Sequence, residues 1–558
     1  MKDFKVLKDP LYGYIHIPID IVNGIIDSAA FQRLRRVSQT SYAPLYSSAV
    51  HNRFVHSIGV YHLGKMVGEQ LVKEIRGKEI EDIQKELLER LCYIFTIACL
   101  LHDVGHAPFS HTGEEFYLEE NQKYDKIHAF LKETVNCDDF TKDIPYISKS
   151  AAPHEIMSAI VGIKAFSSIL SKGEDKSFFA RCITGYKYSE QTTINSIKNC
   201  FIQLLNSKVI DVDKLDYLIR DSFITGYESV KIDYVRLLSS VTVVVCNKKI
   251  DDKINSGQAN ATYLCCDLAY NKNAISVIEN VIYAHDSERK WIQTHPVILY
   301  ENYILQHVMK LLTEKLDTEA DKLFSYQSLS TEGQTLKDGV TIRLLCDDDI
   351  VYLMKKYYDE DPLIKEYFDR KLRRHPVWKS EAEYKALFLT KLSAGDILTN
   401  LVESLKVTAE YLSKNTENWV INEELVKRLQ AELKDLETLK TDANTLRIQR
   451  EEKEKILKVV TCLTEYAKSA GYTGDYVLIK ADQFNSGFAK PDFSETTIVF
   501  PRKGKVETVK FKDVAASLMG IGSISKEFFY LFYERSKDEK QKMDIYEIRK
   551  KLIQNSVE

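Results

Sequence analysis

No run of about 18 apolar residues, the least that crosses a bilayer as a helix, occurs in the chain. Met1-Lys2-Asp3-Phe4-Lys5 carries no apolar signal region either. A membrane-spanning helix is excluded, and a cytoplasmic protein is expected. Cys-x-x-Cys pairs are also lacking: the ten cysteines are scattered, and Cys92 and Cys99 sit in apolar helical stretches as small hydrophobes. Reduced structural thiols are expected rather than disulfides or a cysteine zinc site. Excess charge of one sign is missing, since 77 Lys and Arg face 81 Asp and Glu for a net charge of −4. No global basic field advertises nucleic-acid binding, although local basic pockets remain open. Internal repeats and low-complexity linkers are absent too. What the chain has is length and apolar content, 558 residues at 44% hydrophobic, enough for two or three subdomains.

Chemistry concentrates between Leu100 and His111, which reads Leu-Leu-His-Asp-Val-Gly-His-Ala-Pro-Phe-Ser-His. Leu91, Ile94, Phe95, Ile97, Ala98 and Leu101 upstream make a buried helix and place His102 and Asp103 at its C-terminal end inside the fold. A polar pair there must be paired or metal-bound. Adjacent helical residues point about 100° apart, so further ligands must come from other segments. His56 in Arg53-Phe54-Val55-His56-Ser57-Ile58-Gly59 and Asp213 in Asp211-Val212-Asp213-Lys214-Leu215-Asp216-Tyr217 are the candidates. Imidazole with carboxylate suits Fe, Mn, Zn or Ni, and Mg where carboxylate and water dominate. An isolated His-Asp pair is more often a core histidine beside a helix cap; four segments in order outweigh that reading.

In that order, His56, His102-Asp103 and Asp213 resemble the H…HD…D signature of the HD-domain metallohydrolases. With His51-Asn52-Arg53, His106-Ala107-Pro108-Phe109-Ser110-His111, His154-Glu155 and Tyr217-Leu218-Ile219-Arg220-Asp221, the set is similar to the deoxynucleoside triphosphate triphosphohydrolases. The likeness extends to animal members joining a sterile alpha motif to an HD domain and to bacterial relatives. It covers roughly residues 3 to 310.

The resemblance implies that His56, His102, Asp103 and Asp213 hold a divalent transition metal, with Mg on the substrate phosphates. It implies phosphate contacts for Arg53 and Lys214, and sugar contacts for Tyr217 and Asp221, which share a helical face. Gln39 matches the residue that reads the sugar 3′-hydroxyl. His106, His111 and His154 would form a proton-transfer set, with His111 favoured as the acid, the competing readings being that His106 supports the metal ligands and that His154 merely starts a helix. Lys5, Asp27, Arg35 and Arg236 match positions of an activating nucleotide bound between subunits, with surface ion pairs as the competing reading. A dNTP substrate, a nucleotide activator and a homo-oligomer, dimer or tetramer, follow as expected partners. Nucleotide-pool control and phage defence would use the same chemistry.

The expected fold is mainly α: an HD-type helical core with a small β-hairpin insertion and a C-terminal helical plus α+β lobe. Boundaries are expected at 1–310 for the core, with the first 235 residues helical and strands at 239–248 and 262–268. A helical extension at 311–420, a charged helical hairpin or short coiled coil at 421–460, and a small α+β lobe at 461–558 would follow. The leucine stripe of 425–439 lasts only about two heptads, so packing within one subunit explains it as well as a zipper.

Two other readings compete. An HD-type phosphodiesterase or nuclease acting on single-stranded nucleic acid or cyclic nucleotides would use the same quartet. Lys371-Leu372-Arg373-Arg374-His375-Pro376-Val377-Trp378-Lys379 is its best nucleic-acid patch, and such a patch is usually a solvated face. A regulatory nucleotide-binding protein without turnover is disfavoured by the intact quartet with Arg53, Lys214 and three more histidines.

Overall fold

Capping residues start the helices that matter most. Asn52 accepts from Val55 N to open α1 (Arg53–Arg76), and α2 (Lys85–Leu101) runs back along it to end at His102. The helix α3 (Asp125–Val135) packs on α4 (Pro153–Ala165) and α5 (Gly173–Thr184), and α4, α5 and α6 (Thr193–Leu205) pack on the first pair. Asp211 accepts from Lys214 N to open α7 (Val212–Thr225), which packs on α1, and α8 (Ile275–Glu288) follows. Leu91, Ile94, Phe95, Ile97, Ala98 and Leu101 of α2 are all buried, as the apolar spacing requires.

The computed structural model describes residues 3–78, 80, 83–118, 125–143, 151–207, 210–227, 230–250, 262–316, 318, 320–337, 339–384, 388, 395–414, 419–436, 443–472, 474–481, 495–502, 505–514, 528–534 and 544–557. No helix among the described residues is long and apolar enough to cross a membrane. The molecule is mainly helical with small sheets.

Residues 4–18 depart from the helical expectation. They form an antiparallel hairpin of β1 (Phe4–Asp9) and β2 (Gly13–Pro18), with Asp9 opposite Gly13. Its signal is a period of two, Ile15 and Ile17 buried between exposed Tyr14 and His16, too short to stand out beside the helical runs. The expected pair β3 (Val241–Lys249) and β4 (Thr262–Asn271) is antiparallel, Val241 opposite Tyr270.

Compact units do not follow chain order. One comprises Met1–Arg289, Leu312–Leu353 and Asn485–Ser523; the other comprises Lys290–Leu311, Met354–Phe484 and Ile524–Glu558. In the first, β5 (Gln334–Thr335) pairs antiparallel with β6 (Thr341–Ile342), β9 (Thr497–Arg502) pairs parallel with β4 through Tyr270 and Ile498, and β10 (Lys505–Lys510) pairs with β9. In the second, β11 (Phe528–Tyr533) lies between β7 (His375–Pro376) and β8 (Tyr476–Ala481). The lobe expected at 461–558 is therefore divided between two sheets. Strand partners are chosen by nonlocal edge pairing, which linear spacing does not encode.

In the second unit α9 (Gly395–Lys414), α10 (Glu423–Leu436) and α11 (Ala443–Ser469) pack together, burying Leu425 and Leu429. Glu432 of α10 accepts from Tyr411 at 3.1 Å and pairs with Lys453, so the start of the leucine stripe is covered within its own chain, while Leu439 lies outside the described residues. The basic patch is neither a groove nor a fully solvated face. Arg374 is buried against Glu366 at 2.6 Å, Arg373 pairs with Glu301, and Trp378 is buried with Nε1 donating to Phe529 O at 2.6 Å.

Candidate metal centre and proton-transfer cluster

Three helix ends of the first unit converge. Arg53 and His56 lie in the first turn of α1, His102 and Asp103 follow the last turn of α2, and Asp213 and Asp216 lie at the start of α7. His154 and Glu155 open α4. The N-termini of α1, α4 and α7 each present a positive dipole end, which favours anions nearby.

His56, His102 and Asp213 bring their ligand atoms within 4.8 Å of one another. His56 Nε2 lies 3.2 Å from His102 Nε2, 3.0 Å from Asp213 Oδ1 and 3.5 Å from Asp103 Oδ2. His102 Nε2 lies 3.4 Å from Asp103 Oδ1 and 3.5 Å from Asp213 Oδ1. Tautomers follow from the opposite ring nitrogens. His56 Nδ1 faces Asp216 Oδ2 at 2.7 Å and His102 Nδ1 faces Cys99 O at 3.0 Å, both pure acceptors, so each Nδ1 carries the hydrogen. In the neutral rings both Nε2 lone pairs then face each other among carboxylates, an arrangement satisfied by a cation between them. The donor set thus fits a divalent transition metal.

Electrostatics agree. Burial pulls the His56 imidazole down, yet its contacts with Asp213 and Asp216 hold it up at about 10. Burial would raise Asp103, but Arg53, His102 and His106 hold its carboxyl well below the usual range. Asp213 is likewise depressed: His102 and His56 outweigh its burial. Both carboxylates stay ionised, and the site calls for positive charge.

Arg53 is fully engaged in position. Its Nη1 donates to Asp103 Oδ2 at 2.7 Å, Nε to Ser110 Oγ at 2.8 Å and Nη2 to Gln39 O at 3.2 Å, leaving one hydrogen on each Nη. Lys214 Nζ donates to Asp211 Oδ2 at 2.6 Å and to Ser207 O at 2.7 Å. Asp221 is buried against His51 Nε2 at 2.7 Å, and Gln39 is buried with Oε1 unpartnered. Tyr217, half-buried on the same helix, has its hydroxyl pushed well above the usual range by burial and by Glu288.

A second cluster joins His106, His111 and His154. His106 stacks on His154 at 4.2 Å, and His111 meets both edge-on. Glu114 links the set, accepting from His154 Nδ1 and lying 3.2 Å from His111 Nδ1. Burial lowers the His154 imidazole, but Glu114 more than offsets it and holds it up at about 9. His106 is pushed down by burial, Arg53 and His154; its Nε2 lies 3.3 Å from Asp103 Oδ1, outside hydrogen-bonding alignment. His111 is the open member, its side chain 65% exposed.

The loop between the clusters is strained and braced. Phe109 and Ser110 both adopt φ near 55°, a left-handed conformation costing about 1–3 kcal/mol each for non-glycine residues. Asp347 accepts from Phe109 N at 2.7 Å and Ser38 N at 2.8 Å, and buried Arg33 donates to Val104 O and His106 O at 2.9 and 2.8 Å. Asp216, Glu114, Asp347 and Arg33 carry the geometry yet were not singled out by sequence. Spacing offered a signal for two of them: Asp216 is three residues past Asp213, and Glu114 three past His111.

The expected activator residues are only partly brought together. Lys5 Nζ lies 3.5 Å from Asp27 Oδ2, both exposed. Arg35 bonds Gln32 Oε1 at 2.8 Å and stacks on Phe54 at 3.5 Å, and Arg236 N donates to Asp233 Oδ1 at 3.1 Å.

Comparison with known proteins places this geometry. Residues 53–183 match the HD domain family model, a span that includes every residue of the two clusters except Asp213. The chain is 25% identical over 406 residues to the uncharacterized protein YwfO of Bacillus subtilis, covering 70% of this chain and 76% of that protein. It is 30% identical over 264 residues to the deoxynucleoside triphosphate triphosphohydrolase SAMHD1 homolog of Dictyostelium discoideum, covering 45% of this chain and 41% of that relative. The chain thus matches less than half of that enzyme's length. A solved phosphohydrolase of Bacteroides thetaiotaomicron shares the fold, with a TM-score of 0.51 at 18% identity over 96% of this chain and 100% of that one. The chain therefore carries an HD domain.

Proposed function

We propose that this HD-domain phosphohydrolase cleaves deoxynucleoside triphosphates to deoxynucleoside and tripolyphosphate, and that a second nucleotide activates it. The observation that carries this reading is the meeting of His56, His102, Asp103 and Asp213 beside Arg53 and the His106, His111 and His154 cluster. Those four residues would hold the metal, which when bound supplies Lewis-acid stabilisation and an activated water.

The chain's own groups do the rest. The two spare N–H groups of Arg53 and the remaining donor of Lys214 would neutralise phosphate, assisted by the three helix N-termini. Gln39, Tyr217 and Asp221 would hold the sugar. Glu114 fixes the Nδ1 side of both His111 and His154, leaving the Nε2 side of each to donate to the departing 5′ oxygen. Lys5, Asp27, Arg35 and Arg236 would bind the activator, with subunit assembly coupled to it by mass action. The burial of Arg374 and Trp378 and the pairing of Arg373 with Glu301 remove the best support for a nuclease.

Incubating metal-loaded protein with each dNTP, alone and with GTP, and resolving products by anion exchange tests the reaction. Deoxynucleoside with tripolyphosphate is expected. Monophosphate with pyrophosphate, or cleavage of single-stranded DNA alone, would replace this reading with the phosphodiesterase one. An effector-independent rate at every enzyme concentration would remove the activator.

The proton donor has its own signature. With His154 held up at about 9, the acid stays protonated through neutrality, and the rate should fall only as pH rises through about 9. Glu114→Gln removes the carboxylate that offsets burial, so the alkaline limb should move toward or below neutral pH. An alkaline limb unmoved in Glu114→Gln would rule out this pair as the donor.

A further inference from the structure

The ligand His56 is held by a relay that begins in the N-terminal hairpin, more than 200 residues away in sequence from the carboxylate through which it acts. Asp9, at the end of β1, accepts from Leu11 N at 2.8 Å and Tyr12 N at 3.1 Å through Oδ1, which shapes the turn. Its Oδ2 accepts from Arg220 Nη1 at 3.1 Å. Arg220 reaches Asp216 twice, Nε to Oδ2 at 2.9 Å and Nη2 to Oδ1 at 3.0 Å. Tyr12 donates its hydroxyl to Asp216 Oδ1 at 2.8 Å, and Asp216 Oδ2 takes the hydrogen of His56 Nδ1 at 2.7 Å.

Every charged member is buried: Asp9 is 5% exposed, Arg220 1%, Asp216 0% and His56 0%. The Tyr12 ring is held by His62 at 5.2 Å, Tyr234 at 5.3 Å and the Arg220 guanidinium at 5.7 Å. Gly59 leaves room for the relay, since a Cβ there would fall 1.9 Å from Asp216 Oδ1 and 2.5 Å from Arg220 Nη2. The two oxygens of Asp216 are thereby fixed by donors on three elements: the hairpin turn, α1 and α7.

We propose that the hairpin is a positioning element of the metal centre, with Tyr12 and Asp9 acting through Arg220 and Asp216 to orient His56. This rests on the metallohydrolase reading above. None of these hairpin groups touches the metal set. Their effect is to fix the Asp216 carboxylate, which in turn fixes the tautomer and direction of His56 Nε2. Without the Tyr12 hydroxyl, Asp216 Oδ1 keeps only Arg220, and the carboxylate can turn away from His56. Outer partners of ligating histidines typically govern about 10–100-fold in metal affinity.

The test titrates Co²⁺ into the metal-free full chain, following the visible d–d band, for wild type, Tyr12→Phe, Asp9→Asn and Tyr14→Phe. Asp9→Asn keeps the turn-shaping acceptor but removes the charge facing Arg220, and Tyr14 is an exposed residue of the same hairpin. Tyr12→Phe is expected to weaken Co²⁺ binding about tenfold and to alter the band. Asp9→Asn should act in the same direction, and Tyr14→Phe should match wild type. A lower metal-free thermal midpoint with unchanged Co²⁺ affinity and band in Tyr12→Phe and Asp9→Asn would reduce the hairpin to a packing role and overturn the proposal. Wild-type Co²⁺ binding that survives His102→Ala would instead overturn the metal assignment itself, and the relay with it.

Discussion

His102→Ala is expected to lower the proposed dNTP turnover by about three orders of magnitude or more and to abolish binding of the proposed metal. His102 Nε2 lies among His56 Nε2, Asp103 and Asp213 at 3.2 to 3.5 Å, and its Nδ1 hydrogen is committed to Cys99 O. Alanine removes a buried donor that no neighbour replaces. A bound cation supplies several kcal/mol of charge stabilisation, and each ~1.4 kcal/mol is tenfold in rate. Because α2 ends at His102, the substitution should leave the helix intact, so circular dichroism should match wild type. Rates measured beside metal content decide the matter: a variant with wild-type turnover and wild-type metal would remove His102 from the centre.

Gly105→Ala should be strongly destabilising for the addition of a single methyl. A Cβ at this position would lie 2.4 Å from Met157 C and Ser158 N and 2.6 Å from Met157 O, all backbone atoms of α4. Backbone within a packed helix cannot step aside as a side chain can. Gly105 N also donates to Ser158 Oγ at 2.9 Å and Gly105 O accepts from Tyr117 at 2.7 Å, so the loop is held between α4 and Tyr117. Overpacking typically costs about 1–3 kcal/mol, and with rigid partners about 3 kcal/mol is expected here. For a unit of this size that corresponds to a thermal midpoint lower by about 4 °C.

Function should fall with stability, because α4 carries His154 at its first turn and would move it from the 4.2 Å stack on His106. Gly77→Ala is the matched control, since its Cβ meets nothing closer than 3.5 Å. Equal midpoints for the Gly105 and Gly77 variants in differential scanning calorimetry would refute the steric argument.

Much of the candidate site was legible in one dimension because its ligands lie at helix ends, where apolar runs stop at a polar residue. His102-Asp103 closes α2, and Arg53 and His56 share the first turn of α1 one helical period apart. Burial of such residues in an apolar context demands a partner, and that demand can be read from spacing alone. The histidines of the second cluster were legible as residue types, while their common carboxylate, Glu114, was not.

What the amino-acid sequence determined by itself was the helical core, the β3–β4 hairpin and the set of chemistry-bearing residues, since these follow from local periodicity and from the cost of burying unpaired polar groups. Only the tertiary structure decided which carboxylate orients His56, that the hairpin turn at Asp9 and Tyr12 reaches it, that Asp347 and Arg33 brace the strained loop, and that β9 and β8 join different sheets. Among the bracing contacts, Asp347 reaches back 309 residues to Ser38. Their selection depends on packing geometry and hydrogen-bond direction in three dimensions, which a pattern of three, four or two residues along the chain does not carry.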